Sequence, residues 1–124
     1  MSRTTEQLVN RAAEEMGRDY GGAALPPDDY ARILAVIEPL VDQLNAEEIS
    51  YIDDIDAIAT MVFLPLARLV AIEAAASFGS DAIQTLVTRQ RAGNLDALRE
   101  REREAMQRIY ATRPTGEVLE SDYF

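Results

Sequence analysis

The stretch from Ala57 to Phe78 constrains the chain more than any other. Written as a helix, it places Ile58, Met61, Val62, Phe63, Leu64, Leu66, Leu69, Val70 and Ile72 around nearly the whole circumference. A helix apolar all round must be covered on several sides, by lipid or by other helices. Pro65, Arg68 and Glu73 decide between the two. A charge near the bilayer centre costs roughly 2.5 to 3.5 kcal/mol, so the stretch predicts a buried central helix. Asp56 is placed to cap its start, Pro65 to kink or restart it, and Gly79 to stop it.

The rest of the chain has to supply the cover. Thr4 and Gln7 have the spacing of a capping box, and Leu8, Val9, Ala12, Ala13 and Met16 follow at helical spacing up to Gly17. A loop around Gly21-Gly22 leads to Pro27, Asp28 and Asp29, which suit a first helical turn. The second helix then covers about residues 27 to 44, with Tyr30, Ile33, Leu34, Ile37, Val41 and Leu44 as its stripe and a kink expected at Pro39. Residues 46 to 56 read as loop. After Gly79 a fourth helix starts at Ser80 or Asp81 and extends to about Ala111, broken or weakened at Gly93-Asn94. Its run from Arg99 to Glu104 leaves a thin apolar stripe, so this part is expected to project or lie on the surface. The expected fold is all-α: a small bundle of about four helices in residues 1–111, followed by an extended C-terminal tail, 112–124.

Composition narrows the chemistry. The chain has no histidine and no cysteine. That removes the commonest general base, the commonest metal-binding nitrogen, thiolate sites and disulfides. A net charge of -10 argues against a protein that grips nucleic acid by neutralising phosphates. The carboxylates Glu47, Glu48, Asp53, Asp54 and Asp56 could face a hard cation, but they lack the glycine turn and ligand order of a calcium loop. Helix capping and solvated loop charge are the preferred reading. No phosphate-cradling loop or nucleophile elbow is present. The expectation is a protein that assembles and binds, with no catalytic residues, metal or cofactor, no membrane and no export signal.

Charge is unevenly spread. Residues 1 to 56 hold thirteen acids and four arginines, whereas residues 57 to 113 hold six acids and eight arginines. One acidic half and one slightly basic half suit head-to-tail association into rings. The tail has no helical period, yet it carries Val118, Leu119, Tyr123 and Phe124. Such a segment either orders on a partner or folds back on its own domain.

Three stretches, "TTEQLVNRAAEEMG", "YIDDIDAIATMVFLPLARLVAIEAAASFG" and "RPTGEVLESDYF", resemble subunits of tailed-bacteriophage head-tail connectors of the adaptor type. The resemblance implies a small helical bundle, about a dozen copies of which ring the underside of the portal and extend the DNA channel. It implies a virion neck protein assembled in the host cytoplasm. The expected partners are the portal protein, further copies of itself in a dodecamer, and a downstream stopper or tail protein, with DNA passing through unbound. It implies a portal-docking role for Arg113, Pro114, Val118, Leu119, Tyr123 and Phe124, whose extended segment spans roughly 40 Å. Arg99, Arg101, Arg103 and Arg108 are then expected at subunit interfaces, and a negative channel wall would let DNA slide. The reading from a different class is a bacterial helical interaction module, a regulator or chaperone with an aromatic docking tail.

Overall fold

A computed structural model describes residues 2–18 and 24–112. Among them the order is β1 (Ser2–Arg3), α1 (Thr5–Glu15), α2 (Pro27–Ala46), β2 (Ile58–Ala59), α3 (Thr60–Ala75), a 3-10 turn (Ala76–Phe78), α4 (Ser80–Arg89) and α5 (Leu95–Thr112). The protein is mostly helical, as its periodicity predicts, but the described residues form five α-helices where the spacing predicts about four. The C-terminal tail, including Arg113, Pro114, Val118, Leu119, Tyr123 and Phe124, lies outside the described residues.

The central helix is α3, against which α1, α2, α4 and α5 all pack. Val62, Leu66, Ala67, Val70 and Ala71 are fully enclosed. They are covered by Leu8, Val9 and Ala12 of α1, Ile33, Ile37 and Leu44 of α2, Leu86 of α4, and Leu98 and Met106 of α5 in one continuous core. Thr60 to Phe78 is long and apolar enough to cross a membrane by length and composition, and 61% of that window is buried under its neighbours.

The start of α1 is the expected capping box: the Thr4 hydroxyl accepts from the Gln7 N–H at 3.2 Å, and the Gln7 side chain accepts from the Thr4 N–H at 2.9 Å. Pro27 occupies the first turn of α2, followed by Asp28 and Asp29. Pro39 and Pro65 lie inside α2 and α3. Asp56 does not cap α3. That helix begins four residues later at Thr60, with no side-chain cap. The intervening residues pair antiparallel with the N-terminus, Ser2 opposite Ala59 and Arg3 opposite Ile58.

Three helices end in one motif. In α1, α2 and α4 the first residue past the cap takes a left-handed conformation: Gly17 (φ 79°), Glu48 (φ 60°) and Arg91 (φ 53°). In each, the next N–H reaches back six residues inclusively: Arg18 to the Ala13 carbonyl at 2.8 Å, Ile49 to Leu44 at 2.9 Å, Ala92 to Val87 at 3.0 Å. These are Schellman endings, which satisfy carbonyls that the helix leaves open. The last of them splits the expected fourth helix. The break falls at Arg91, ahead of Gly93, and Asn94 then caps α5 by accepting from the Ala97 N–H at 2.8 Å.

The end of α3 is closed differently. Gly79 has φ 100° and ψ 178°, a region essentially reserved for glycine. Arg18 donates to the Phe78 carbonyl at 2.9 Å and Arg32 to the Ser77 carbonyl at 3.3 Å. Both guanidinium groups also lie over the Phe78 ring, 5.3 and 5.7 Å from its centre. Cations at the negative end of a helix are favourable. Here they come from α2 and from the residues after α1.

Candidate assembly surfaces

Of the two placements expected for the Arg99–Glu104 segment, projecting or lying on the surface, the fold shows the second. Helix α5 runs antiparallel along α3, because Arg99 contacts Glu73 and Glu102 contacts Arg68 further back along the chain. Its stripe Leu95, Leu98, Glu102, Met106, Ile109 has helical spacing, and Glu102 sits within it at 3% exposure. One acid of the charged run is therefore as buried as the neighbouring leucine.

Glu102 belongs to a network joining three helices. Arg68 of α3 reaches Glu102 at 3.5 Å and Glu15 of α1 at 3.7 Å. Glu15, 4% exposed, also takes Arg11 at 2.7 Å and the Gln90 amide at 2.9 Å. Arg101 completes the set, donating to Glu102 at 3.3 Å and to the Gln90 carbonyl at 2.9 Å. Buried carboxylates require such pairing, since an uncompensated charge in the interior is costly. The 3.7 Å contact is an ion pair without a hydrogen bond, and Arg68 Nε has no hydrogen-bond partner.

The arginines expected at subunit interfaces thus have partners within the chain. Arg99 binds Asp96 at 2.7 Å as well as Glu73 at 3.2 Å. Arg101 is held by Glu102 and Gln90, and Arg103 by Glu47. Arg108 is exposed on α5. All four keep α5 as their common platform, but only Arg101 and Arg108 are among the exposed residues, Arg99 and Arg103 being half-buried.

Three of the five loop carboxylates, Glu47, Asp54 and Asp56, are likewise drawn into local structure. Glu47 is bound by Arg103 and, at 3.0 Å, by the Gln43 amide. Those hydrogen bonds, Arg103 first, hold its carboxyl below the usual range. Asp54 accepts from the Asp56 N–H at 2.9 Å. Asp56 accepts from the Thr5 N–H at 3.1 Å, and the Thr5 hydroxyl beside it donates to the Ile55 carbonyl at 2.7 Å. Thr5, with its hydroxyl beside the carboxylate and its N–H donating to it, keeps the Asp56 carboxyl below the ordinary aspartate range. Among the described residues no three acids converge as metal ligands.

A pH test follows for Asp56. Its folded-state pKa is depressed, so its contribution to stability is present above the carboxylate range and lost as pH falls through the folded value. Asp56→Asn should lower the urea midpoint near neutral pH and leave it little changed near pH 2, with the two curves converging on acidification. A constant offset at all pH values would show that the charge plays no part.

Among the described residues few large apolar side chains are exposed. Leu34 is 40% exposed on α2, Tyr51 62% in the loop, and Met61 and Leu64 48% and 41% on α3. Tyr51 meets Tyr110 of α5 edge to face, with ring centres 5.5 Å apart. The two rings border a hollow of about 330 Å³ with Asp53, Asp54 and Ala57 at its rim. The outer face of α2 and the loop after it differ in character. Over residues 27–56, Asp28, Glu38, Asp42, Glu47, Glu48, Asp53, Asp54 and Asp56 are exposed, and Arg32 is the one exposed arginine of that range. Comparison with protein-family models, curated proteins and solved structures finds no match to this chain.

Proposed function

We propose that the protein is a structural subunit of a tailed-phage neck, an adaptor that closes into a ring beneath the portal and extends the DNA channel towards the tail, and that it has no catalytic role. The observation that carries this reading is the acid-rich surface of α2 and residues 47–56, where, among the described residues, eight acids and one arginine are exposed and only Glu47 is met by an arginine from elsewhere, Arg103 of α5. Arranged around an axis, such a face repels DNA phosphates and lets the duplex slide. Helices α4 and α5 and the turn between them expose Arg89, Arg91, Arg101 and Arg108 together with Asp81, Asp96, Glu100 and Glu104, so their exposed charge balances while that of α2 and its loop does not. A subunit with one acidic side and one of mixed charge suits a heterologous, ring-closing contact.

Two of the stretches that carry the resemblance also meet in the fold. Thr4 to Gly17 is α1 with its caps, and Tyr51 to Gly79 contains β2 and α3, on which α1 packs. The third, Arg113 to Phe124, is assigned by this reading to the portal. The test is a pull-down with the portal protein of the same phage, followed by negative-stain imaging, using the full chain and a version ending at Ala111. Binding by the full chain, a ring added below the portal, and loss of both on truncation are expected. No complex with either version would move the reading to a helical interaction module with another partner.

A further inference from the structure

Met61, Leu64 and Arg68 follow one another at helical spacing and share one side of α3. Arg68 marks where that side faces, because it reaches Glu15 on α1 and Glu102 on α5. Met61 and Leu64 therefore lie in the interval between α1 and α5, two turns and one turn before the ion-pair network that closes it. They are half exposed, although the rest of α3's apolar surface is covered. Pro65, one residue further, has no N–H to give the Met61 carbonyl.

Arginines and acids alternate along this interval: Arg11 with Glu14 on α1, and Arg101 and Arg108 with Glu104 on α5. An occupant that combines apolar side chains with acids can cover the strip and meet those arginines. Residues 113–124 have that composition: Val118, Leu119, Tyr123 and Phe124 interleaved with Glu117, Glu120 and Asp122.

Chain geometry favours the same occupant. Because α5 is antiparallel to α3, its last turn lies at the N-terminal end of α3, where Tyr110 and Ala57 to Ala59 border one hollow. Met61 is on the first turn of α3, so the strip opens beside the place where α5 ends. Val118 is six residues beyond Thr112, and the Pro114 and Gly116 between them are residues that reverse chain direction readily. A segment tethered this closely competes at millimolar effective concentration.

We propose that residues 113–124 of a subunit dock on the Met61–Leu64 strip of the same subunit, shielding it until a partner takes the segment away. This goes beyond the adaptor reading and does not depend on it: the contact is internal and needs no portal.

The chain has no cysteine, so introduced pairs report without interference. The full-length chain carrying Leu64→Cys and Leu119→Cys, oxidised at low protein concentration, is expected to form an intramolecular disulfide. The control pair is Leu34→Cys with Leu119→Cys, since Leu34 is equally exposed but on α2. The strip pair should close about tenfold faster than the control, reflecting a docked over a merely tethered segment, and Arg101→Glu with Arg108→Glu should slow it. Equal rates for the two pairs overturn the proposal, and so does a covalent dimer as the main product, which would assign the strip to a second copy. A measurement on native side chains guards against misfolding of the cysteine variants. Peroxide oxidation of Met61 should be slow in the full chain and speed up severalfold when Val118 and Leu119 are changed to serine; unchanged oxidation also overturns it.

Discussion

Arg68→Ala is expected to cost about 3 kcal/mol of stability, at the lower end of what breaking a buried ion pair costs. The lower end applies because the Arg68 side chain is 25% exposed and because Arg11 and Arg101 remain on the two carboxylates. The loss arises less from the missing attraction than from what it strands: Glu15 and Glu102 are both almost wholly buried and would share one interior site with one cation fewer. Urea denaturation of Arg68→Ala checks the size. A double variant checks the cause, since adding Glu102→Gln to Arg68→Ala should recover about 1 kcal/mol or more, the coupling expected of groups in one network. If Arg68→Ala costs under about 1 kcal/mol and the two changes add independently, the network behaves as a surface pair. Replacing Glu15, Arg68 and Glu102 together by leucine, methionine and leucine should leave stability near that of the parent, because a packed apolar triad avoids the desolvation of three charges.

How much of this is legible in the sequence depends on what each feature rests on. Helix bodies rest on periodicity, and the cover of α3 by Leu8, Ile33, Ile37, Leu86 and Leu98 follows the apolar spacing directly. Starts marked by local chemistry are also legible, as at Thr4 and Pro27. Helix ends are legible only where glycine marks them. Gly17 and Gly79 do, but Glu48 and Arg91 adopt positive φ at a cost of about 1 kcal/mol each, offset by bonds to the preceding turn and, at Ile49, by burial against the core. Nothing in their residue type announces this, which is why residue type alone points to Gly93 for the break before α5. Asp56 misleads in the opposite way. It is a good capping residue, but its carboxylate is taken by Thr5, fifty-one residues earlier.

The buried network is partly legible. Arg68, flanked by apolar residues in the middle of α3, requires a carboxylate partner, and Glu102 occupies the helical stripe of Leu98 and Met106. Those two facts together identify the pair, whereas the alternating charges around Glu102 suggest only a solvated face. Glu15 cannot be paired with either from spacing, because it arrives through the packing of α1. Spacing puts Arg99, Arg101, Arg103 and Arg108 on one helix, as found, but the cross-helix partners of Arg99 and Arg103, Glu73 and Glu47, depend on the antiparallel course of α5.

Asn45→Ala is expected to destabilise the fold by about 3 kcal/mol through a loop that has no helical or strand period in the sequence. The Asn45 amide donates to the Ile52 carbonyl at 2.8 Å, and its oxygen accepts from the Ile52 N–H at 3.0 Å and the Ser50 hydroxyl at 2.6 Å. The two contacts to Ile52 fix which way the amide points, since only its oxygen can accept from that N–H. Each hydrogen bond contributes about 1 kcal/mol net, and a stranded buried donor costs about 1 to 3 kcal/mol. Ser50 is completely enclosed, so its hydroxyl would be the stranded group. Ser50→Ala added to Asn45→Ala should therefore cost little more, or restore a fraction, although Ser50→Ala alone destabilises. The damage should also travel. This loop carries Tyr51 to Tyr110, and Glu47 just before it holds Arg103, so hydrogen exchange in the second half of α5 should quicken while α1 keeps its protection. Uniform quickening across the protein would mean that Asn45 acts on global stability alone; quickening confined to α5 would mean that the loop positions the helix from which residues 113–124 depart.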